Sequence, residues 1–294
     1  MRRIGCLVAG ALLAVGCGAS GSSKSSGDRL RVVTTTTQLT DFAKVVGGSD
    51  VVVYGVLKAN VDPHDYEPSP ADLQAIADAD VIVENGIGIE KWLDKTVASA
   101  SPHGAIVDTS KGVPVHDHDP HIWHDPRNAK VMVANITSAL EKAGPGRAAT
   151  FQANEAAYDT ELDRLDAEIA AEVTPLTNKK IVTNHDAFAY FINRYGLDYV
   201  GAVIPSFDTQ AELSARDVSD LVAKIRATGV RAVFSESSLP PKTAEAIAGE
   251  AGVKVVAGHD ALYGDTLGPP GSDGATYLQM MRHNAREIVD NLRA

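Results

Sequence analysis

Residues 147–173 read RAATFQANEAAYDTELDRLDAEIAAEV, and this stretch decides the fold. Its large apolar residues are Phe151, Tyr158, Leu162, Leu165, Ile169 and Val173. They recur at spacings of seven, four, three, four and four, which lays one continuous apolar stripe along a helix. At 1.5 Å per residue that helix is about 40 Å long, more than one small domain needs. Gly144, Pro145 and Gly146 break the chain before it, and Pro175 closes it. A helix of this length between two breaks is a connecting strut.

On both sides of the strut, short apolar strands alternate with helical segments. Before it, residues 31–36, 51–56, 81–83 and 106–108 read as strands. Helices are expected over 41–46, from Ser69-Pro70 to about residue 78, and over 127–142, opened by Asp125 as N-cap and Pro126 in the first turn. After it, strands at 180–183, 199–203, 232–234 and 254–256 alternate with helices at 188–195, 217–228, 242–251 and 275–292. That rhythm gives the fold class α/β: two α/β domains with mainly parallel sheets, residues 30–143 and 176–294, joined by one long rigid helix within 144–175. Ligands of open α/β sheets bind beyond the carboxyl ends of the strands, so a cleft between the two halves is the expected site.

His64, His121, His185 and Asp265 each sit in a segment that reads as a strand-to-helix connection, two in each half. Neutral imidazoles with a carboxylate are a ligand set suited to Zn²⁺. Taken singly, each also reads as an ordinary polar loop group. Residues 116–124, HDHDPHIWH, hold four of the nine histidines of the chain. Within them His116 and His118 read either as part of a solvated acidic loop or as a weak metal-collecting tract. His124 reads as a group behind the ligands or at the surface, and Glu67 and Glu236 are carboxylates that could support ligands from behind.

The chain opens with Arg2 and Arg3, an apolar run over 4–15, and Gly16-Cys17. A cationic start and an apolar stretch too short to span a bilayer describe a secretory signal over residues 1–16. Ala14-Val15-Gly16-Cys17 is similar to the lipobox of bacterial lipoproteins, with Ala where Leu is commoner, so Cys17 is the expected lipidation site. An ordinary signal peptide or an uncleaved anchor is the other reading. Residues 17–29 then form the lipidated cysteine and a flexible polar tether. Cys6 and Cys17 are the only cysteines, so the exported body has no thiolate, and a metal site in it must use His, Asp, Glu and water. Loss of Arg2 and Arg3 takes the formal charge from −11 to −13. Such an acidic body is a poor partner for nucleic acid or anionic lipid, and its field draws cations.

Five motifs now carry a resemblance: DPHDYEPSP (62–70), NGIGIEKWL (85–93), DPHIW (119–123), HDAFAYF (185–191) and YGDTLG (263–268). Together they resemble the zinc/manganese solute-binding lipoproteins of bacterial ABC importers, over essentially the whole mature chain and in order. The resemblance implies an exported monomer, lipid-anchored through Cys17 to the outer face of the cell membrane. It implies high-affinity binding of a divalent transition metal, handed to membrane permease subunits, with no enzymatic activity. The family's four ligands fall on His64, His121, His185 and Asp265. Its third ligand is Glu in many manganese-binding members and His in many zinc-binding ones, and here it is His185. Three imidazoles lean toward Zn²⁺, because Mn²⁺ prefers oxygen, and Mn²⁺ is the alternative cargo. Two positions depart from the family: the long His-rich loop of many zinc importers is reduced to His116 and His118, and His124 stands where an apolar residue is usual.

Two further classes compete with a transport role. A secreted zinc hydrolase is suggested by residues 116–121, but Pro120 occupies the place of an essential Asp in the HxHxDH pattern, and a fourth protein ligand would close the water position that catalytic zinc keeps open. A surface adhesin is compatible with the tether. Because imidazoles must lose protons before binding, metal affinity is expected to fall as pH drops through the histidine range near ~6.5.

Overall fold

The computed structural model describes residues 29–293. The signal sequence, Cys17 and all but the last residue of the tether lie outside the described residues.

In the first half, β1 (Leu30–Thr34), α1 (Thr37–Gly47), β2 (Val51–Gly55), α2 (Pro70–Ala77), β3 (Val81–Glu84), α3 (Leu93–Ala100), β4 (Ala105–Asp108) and α4 (Pro126–Ala143) follow one another. The unbroken α5 (Ala148–Val173) comes next. The second half holds β5 (Lys180–His185), α6 (Ala189–Tyr195), β6 (Asp198–Ile204), α7 (Ala215–Thr228), β7 (Ala232–Phe234), α8 (Lys242–Ala251), β8 (Lys254–Val256) and α9 (Tyr277–Arg293). All strand pairs are parallel, in two separate sheets of order β2-β1-β3-β4 and β6-β5-β7-β8. The order reverses at β1/β3 in one sheet and at β5/β7 in the other, the place where parallel sheets open a crevice. Two parallel α/β domains linked by a long helix is the architecture expected from the strand–helix rhythm.

The six apolar residues of the strut are its six buried ones. They do not cross solvent: α5 packs along α1 and α4 on one side and α9 on the other. One apolar core therefore runs through both halves, from Val32 and Phe42 through Leu165 to Phe191 and Ile288. Smaller cores fill the outer faces, under α2 and α3 in the first half and under α7 and α8 in the second. A shared core resists wide hinge opening, because separating the halves would expose it to water. Among the described residues no helix is long and apolar enough to cross a membrane.

Local capping explains where the elements begin. Ser69 and Asp72 form a capping box with Pro70 in the first turn of α2, and the Asp125 side chain accepts from Arg127 N at the start of α4. Two features differ from the sequence reading. Helix α1 starts near Thr37 rather than residue 41, because Thr36 caps it with a side chain that accepts from Leu39 N, while a run of β-branched threonines mimics strand. Helix α3 was not expected at all. Its N-cap position is Trp92, which offers no capping side chain, so the usual start signal is missing.

Leu165 is fully buried where α5 meets both halves. Leu165→Ala should cost about 2–5 kcal/mol of unfolding free energy in urea titrations. A loss no larger than that of an exposed α5 substitution would contradict the strut's place in a common core.

Candidate metal centre

Two copies of Asp-Pro-His build the first-half part of the site. In residues 62–64 and 119–121 the Asp Oδ1 accepts the backbone N–H of the His two residues on, at 2.9 Å in both, a side-chain turn that aims the imidazole out of the loop. Asp119 reaches further: its Oδ1 lies 2.6 Å from His121 Nδ1, a contact only an Nδ1–H can make. That fixes the tautomer and leaves Nε2 facing inward. Asp62 turns its second oxygen elsewhere, accepting from the Thr209 hydroxyl at 2.6 Å.

His185 ends β5, the central strand of the second sheet. Glu236, just beyond the neighbouring β7, accepts from both His185 N at 3.1 Å and His185 Nδ1 at 2.8 Å. Gly264 makes room for this carboxylate, since a Cβ on it would lie 1.9 Å from Glu236 Oε2. Asp265 follows, fully buried.

The ligand atoms of His64, His121, His185 and Asp265 all lie within 4.8 Å of one another. Asp265 Oδ1 is 3.3 Å from His121 Nε2 and 3.4 Å from His185 Nε2, and its Oδ2 is 3.6 Å from His64 Nε2. The His121 and His185 Nε2 atoms are 3.3 Å apart. Donors about 2.0–2.1 Å from a common centre at tetrahedral corners stand about 3.3–3.4 Å apart, whereas octahedral neighbours at that radius stand about 2.8–3.0 Å apart. The three separations among Asp265 Oδ1, His121 Nε2 and His185 Nε2 match one face of the tetrahedron, and His64 stands wider, 3.6 Å from Asp265 Oδ2. His64 Nε2 and both Asp265 oxygens are buried without a hydrogen bond of ordinary geometry. Unpartnered buried acceptors are costly, and a cation at the centre would satisfy them together.

The electrostatics agree. Burial works against the charged form of His185, but Asp265 and Glu236 override it and raise its pKa well above the ordinary value. His121 is raised in the same way, against its burial, by its hydrogen bond to Asp119 and by the facing Asp265 carboxylate. Burial would raise the Asp265 carboxyl, yet the facing His185 and His121 hold it well below its ordinary range. His64 has no carboxylate hydrogen-bonded to its ring, and burial lowers its pKa against the pull of the facing Asp265. Its side chain is 3 % exposed and the other three are at 0 %, so His64 is the one nearest solvent.

The other residues singled out in the sequence fall into two groups. Glu236 lies behind His185, as described. His124 is fully buried, stacks on Phe188 with ring centroids 4.5 Å apart, and donates from Nε2 to Gly264 O at 3.0 Å. Burial pushes its pKa down to about 3, so it is neutral. Glu67, by contrast, is exposed on the wall of a surface groove beside His64 and is not brought into the cluster. His116 and His118 are also exposed and outside the cluster. Sequence reasoning missed Asp119, although its place in the repeated Asp-Pro-His triplet was a usable signal.

This chain matches the family described as "Zinc-uptake complex component A periplasmic" over residues 32–291. It belongs to that family. Among its relatives, the manganese-binding lipoprotein MntA of Halalkalibacterium halodurans is 33 % identical over 290 residues, covering 96 % of this chain and 95 % of the relative. The zinc-binding protein TroA of Treponema pallidum is 32 % identical over 297 residues, covering 97 % and 96 %. The solved structure of the periplasmic zinc-binding protein TroA from Treponema pallidum superposes with a TM-score of 0.85 at 30 % identity, covering 90 % of this chain and all of that one. The manganese ABC transporter substrate-binding lipoprotein PsaA of Streptococcus pneumoniae is 31 % identical over 293 residues, covering 94 % and 93 %.

Carboxylates that orient metal-binding imidazoles typically matter about 10–100-fold for affinity, so Glu236→Ala should weaken Zn²⁺ binding by that order in a competition titration. Gly264→Ala should act in the same direction by displacing Glu236. Unchanged affinity in both variants would show that Glu236 does not orient a ligand.

Proposed function

We propose that this protein captures a divalent transition metal outside the cytoplasm and delivers it to an ABC permease, with Zn²⁺ as the cargo. The observation that carries this reading is the buried, convergent set of three imidazoles and one carboxylate. In it His64, His121, His185 and Asp265 are the ligands, and Asp119 and Glu236 orient two of them. Three nitrogen donors suit Zn²⁺ better than Mn²⁺. The remaining assignments belong to the same proposal: signal over 1–16, lipid on Cys17, tether to 29, domains at 30–143 and 176–294 around the strut, and a monomer anchored at the outer face of the membrane. Four protein donors leave no open coordination position for an activated water, so the reading is a carrier and not a hydrolase. His116 and His118 are left as surface residues that could at most collect metal weakly.

Manganese is the second reading, because relatives such as MntA and PsaA are named for manganese. Competition titration of the metal-free protein with both ions separates the two. Zn²⁺ should bind at one per chain and more tightly than Mn²⁺ at neutral pH, and the reverse order would make this a manganese carrier. His185→Glu should narrow the gap by replacing nitrogen with oxygen.

The pH dependence follows from the raised His185 and His121 values. In the metal-free protein these rings keep their protons above the ordinary histidine range. Metal must displace those protons, so affinity falls as pH drops through the raised values, not only near ~6.5 as the sequence alone suggests. Zn²⁺ loading at pH ~7 should therefore release protons, read with a pH indicator in weak buffer. No release above pH ~6.5 would contradict the assignment.

A further inference from the structure

Chain position divides the four proposed ligands two and two, but the hydrogen bonds divide them otherwise. As far as Tyr263 the chain is tied to the second half. Leu262 N donates to Ser235 O at 2.9 Å, Ser237 N to Leu262 O at 2.9 Å, and Tyr263 N to Asn284 Oδ1 on α9 at 2.9 Å. At Gly264 the partners change sides. Trp123 Nε1 and His124 Nε2 both donate to Gly264 O, at 3.1 and 3.0 Å. Gln38 Nε2 donates to Asp265 O at 3.0 Å, Asn60 N to Thr266 Oγ1 at 3.1 Å, and Leu267 N to Thr37 Oγ1 at 2.7 Å. All five partners belong to the first half. Where the loop enters α9 the pattern holds, with Tyr277 N donating to Asp41 Oδ2 at 2.9 Å and Tyr277 Oη to Trp123 O at 2.6 Å.

His185 is held the other way. Its N–H and ring go to Glu236, its carbonyl accepts from Thr183 Oγ1 at 2.8 Å, and Asp186 N donates to Ser206 O at 3.1 Å. Each of these partners sits on the second sheet or the loops it carries.

We propose that Asp265 is mechanically a first-half residue, with Gln38, Trp123 and His124 as its positioning residues. The proposal rests on the metal-carrier reading. His64, His121 and Asp265 then form a three-group platform, and His185 is a single arm brought to it by the second sheet. Metal leaves when the arm withdraws. Carrying Asp265 away instead would strand five hydrogen-bonded groups, most of them buried, each of which is costly to leave unmade. Withdrawing the arm breaks four bonds: the Lys91–Asp208 ion pair at the exposed rim, the Thr209–Asp62 bond, and the two bonds of Tyr190 Oη, which donates to Asp119 O and accepts from His116 N. It also slides Phe188 along His124. Three donors left in place keep the metal weakly bound and exposed on one side, which suits transfer to another ligand set.

Two engineered disulfides test this, since the chain has no cysteine beyond Cys17. Asn60→Cys with Thr266→Cys ties the Asp265 loop to the first half, and Lys91→Cys with Asp208→Cys ties the second-half loop to it. Zn²⁺ release into excess chelator is compared between oxidised and reduced forms of the protein lacking its signal and Cys17. The first crosslink should leave the release rate within about twofold, and the second should slow it about tenfold or more. Equal slowing by both, or no slowing by the second, overturns the proposal. Hydrogen exchange of the metal-free protein decides the same point if either disulfide fails to close. Residues 264–268 should then be as protected as 122–125 while 185–188 exchange faster, and the opposite order overturns it. A protein that binds no Zn²⁺ even when reduced defeats the carrier reading, while hydrogen exchange still tests where Asp265 is held.

Discussion

Asp265 is a carboxylate with no exposure and no conventional hydrogen-bond donor, faced by three imidazoles. Removing a carboxylate from water costs several kcal/mol unless positive charge meets it. The raised pKa values of His121 and His185 favour a proton there in the metal-free protein, and a divalent ion can supply the charge instead. On the proposed carrier reading the arrangement is an exchange site, in which a cation enters as protons leave. The flanking carboxylates of Asp119 and Glu236 serve both states, because each holds an Nδ1–H while the Nε2 atom faces the centre.

The fold delivers these groups by ordinary means. Both sheets reverse strand order at their central strand, and His185 and Glu236 stand at the carboxyl ends of the adjacent strands β5 and β7. The first half contributes through loops rather than strand ends, which is why it uses side-chain turns at Asp62 and Asp119 to aim its histidines. Behind the site, one apolar core spans both halves along α5 and resists their wide separation. Small tilts remain possible because the contacts across the rim, Lys91–Asp208 among them, are polar and partly exposed. A site needing only one arm to move suits such a scaffold.

Much of this was legible in the sequence. The strut could be read because its stripe is purely periodic, and α4 because Asp125 and Pro126 announce it. The four convergent residues were legible through the family motifs that hold them, since each loop read singly also allowed an ordinary polar group. Glu67 lies near His64 in sequence, but that nearness does not fix which way an exposed loop side chain points. Helix α3 was hidden by the absence of a cap at Trp92. The division of the ligands was out of reach for a different reason: the bonds that hold Asp265 join residues 140 or more positions apart, such as Trp123 and Gly264, and no local pattern encodes them. Asp119 is the intermediate case, a local signal that the Asp-Pro-His triplet presents twice.

X-ray absorption at the zinc edge of the protein loaded with one equivalent of Zn²⁺ tests the central claim most directly. The account predicts a four-coordinate shell of nitrogen and oxygen at about 2.0–2.1 Å, with the multiple-scattering signature of three imidazoles that drops to two in His185→Ala. A six-coordinate shell dominated by oxygen, or an imidazole count unaffected by His185→Ala, would contradict it.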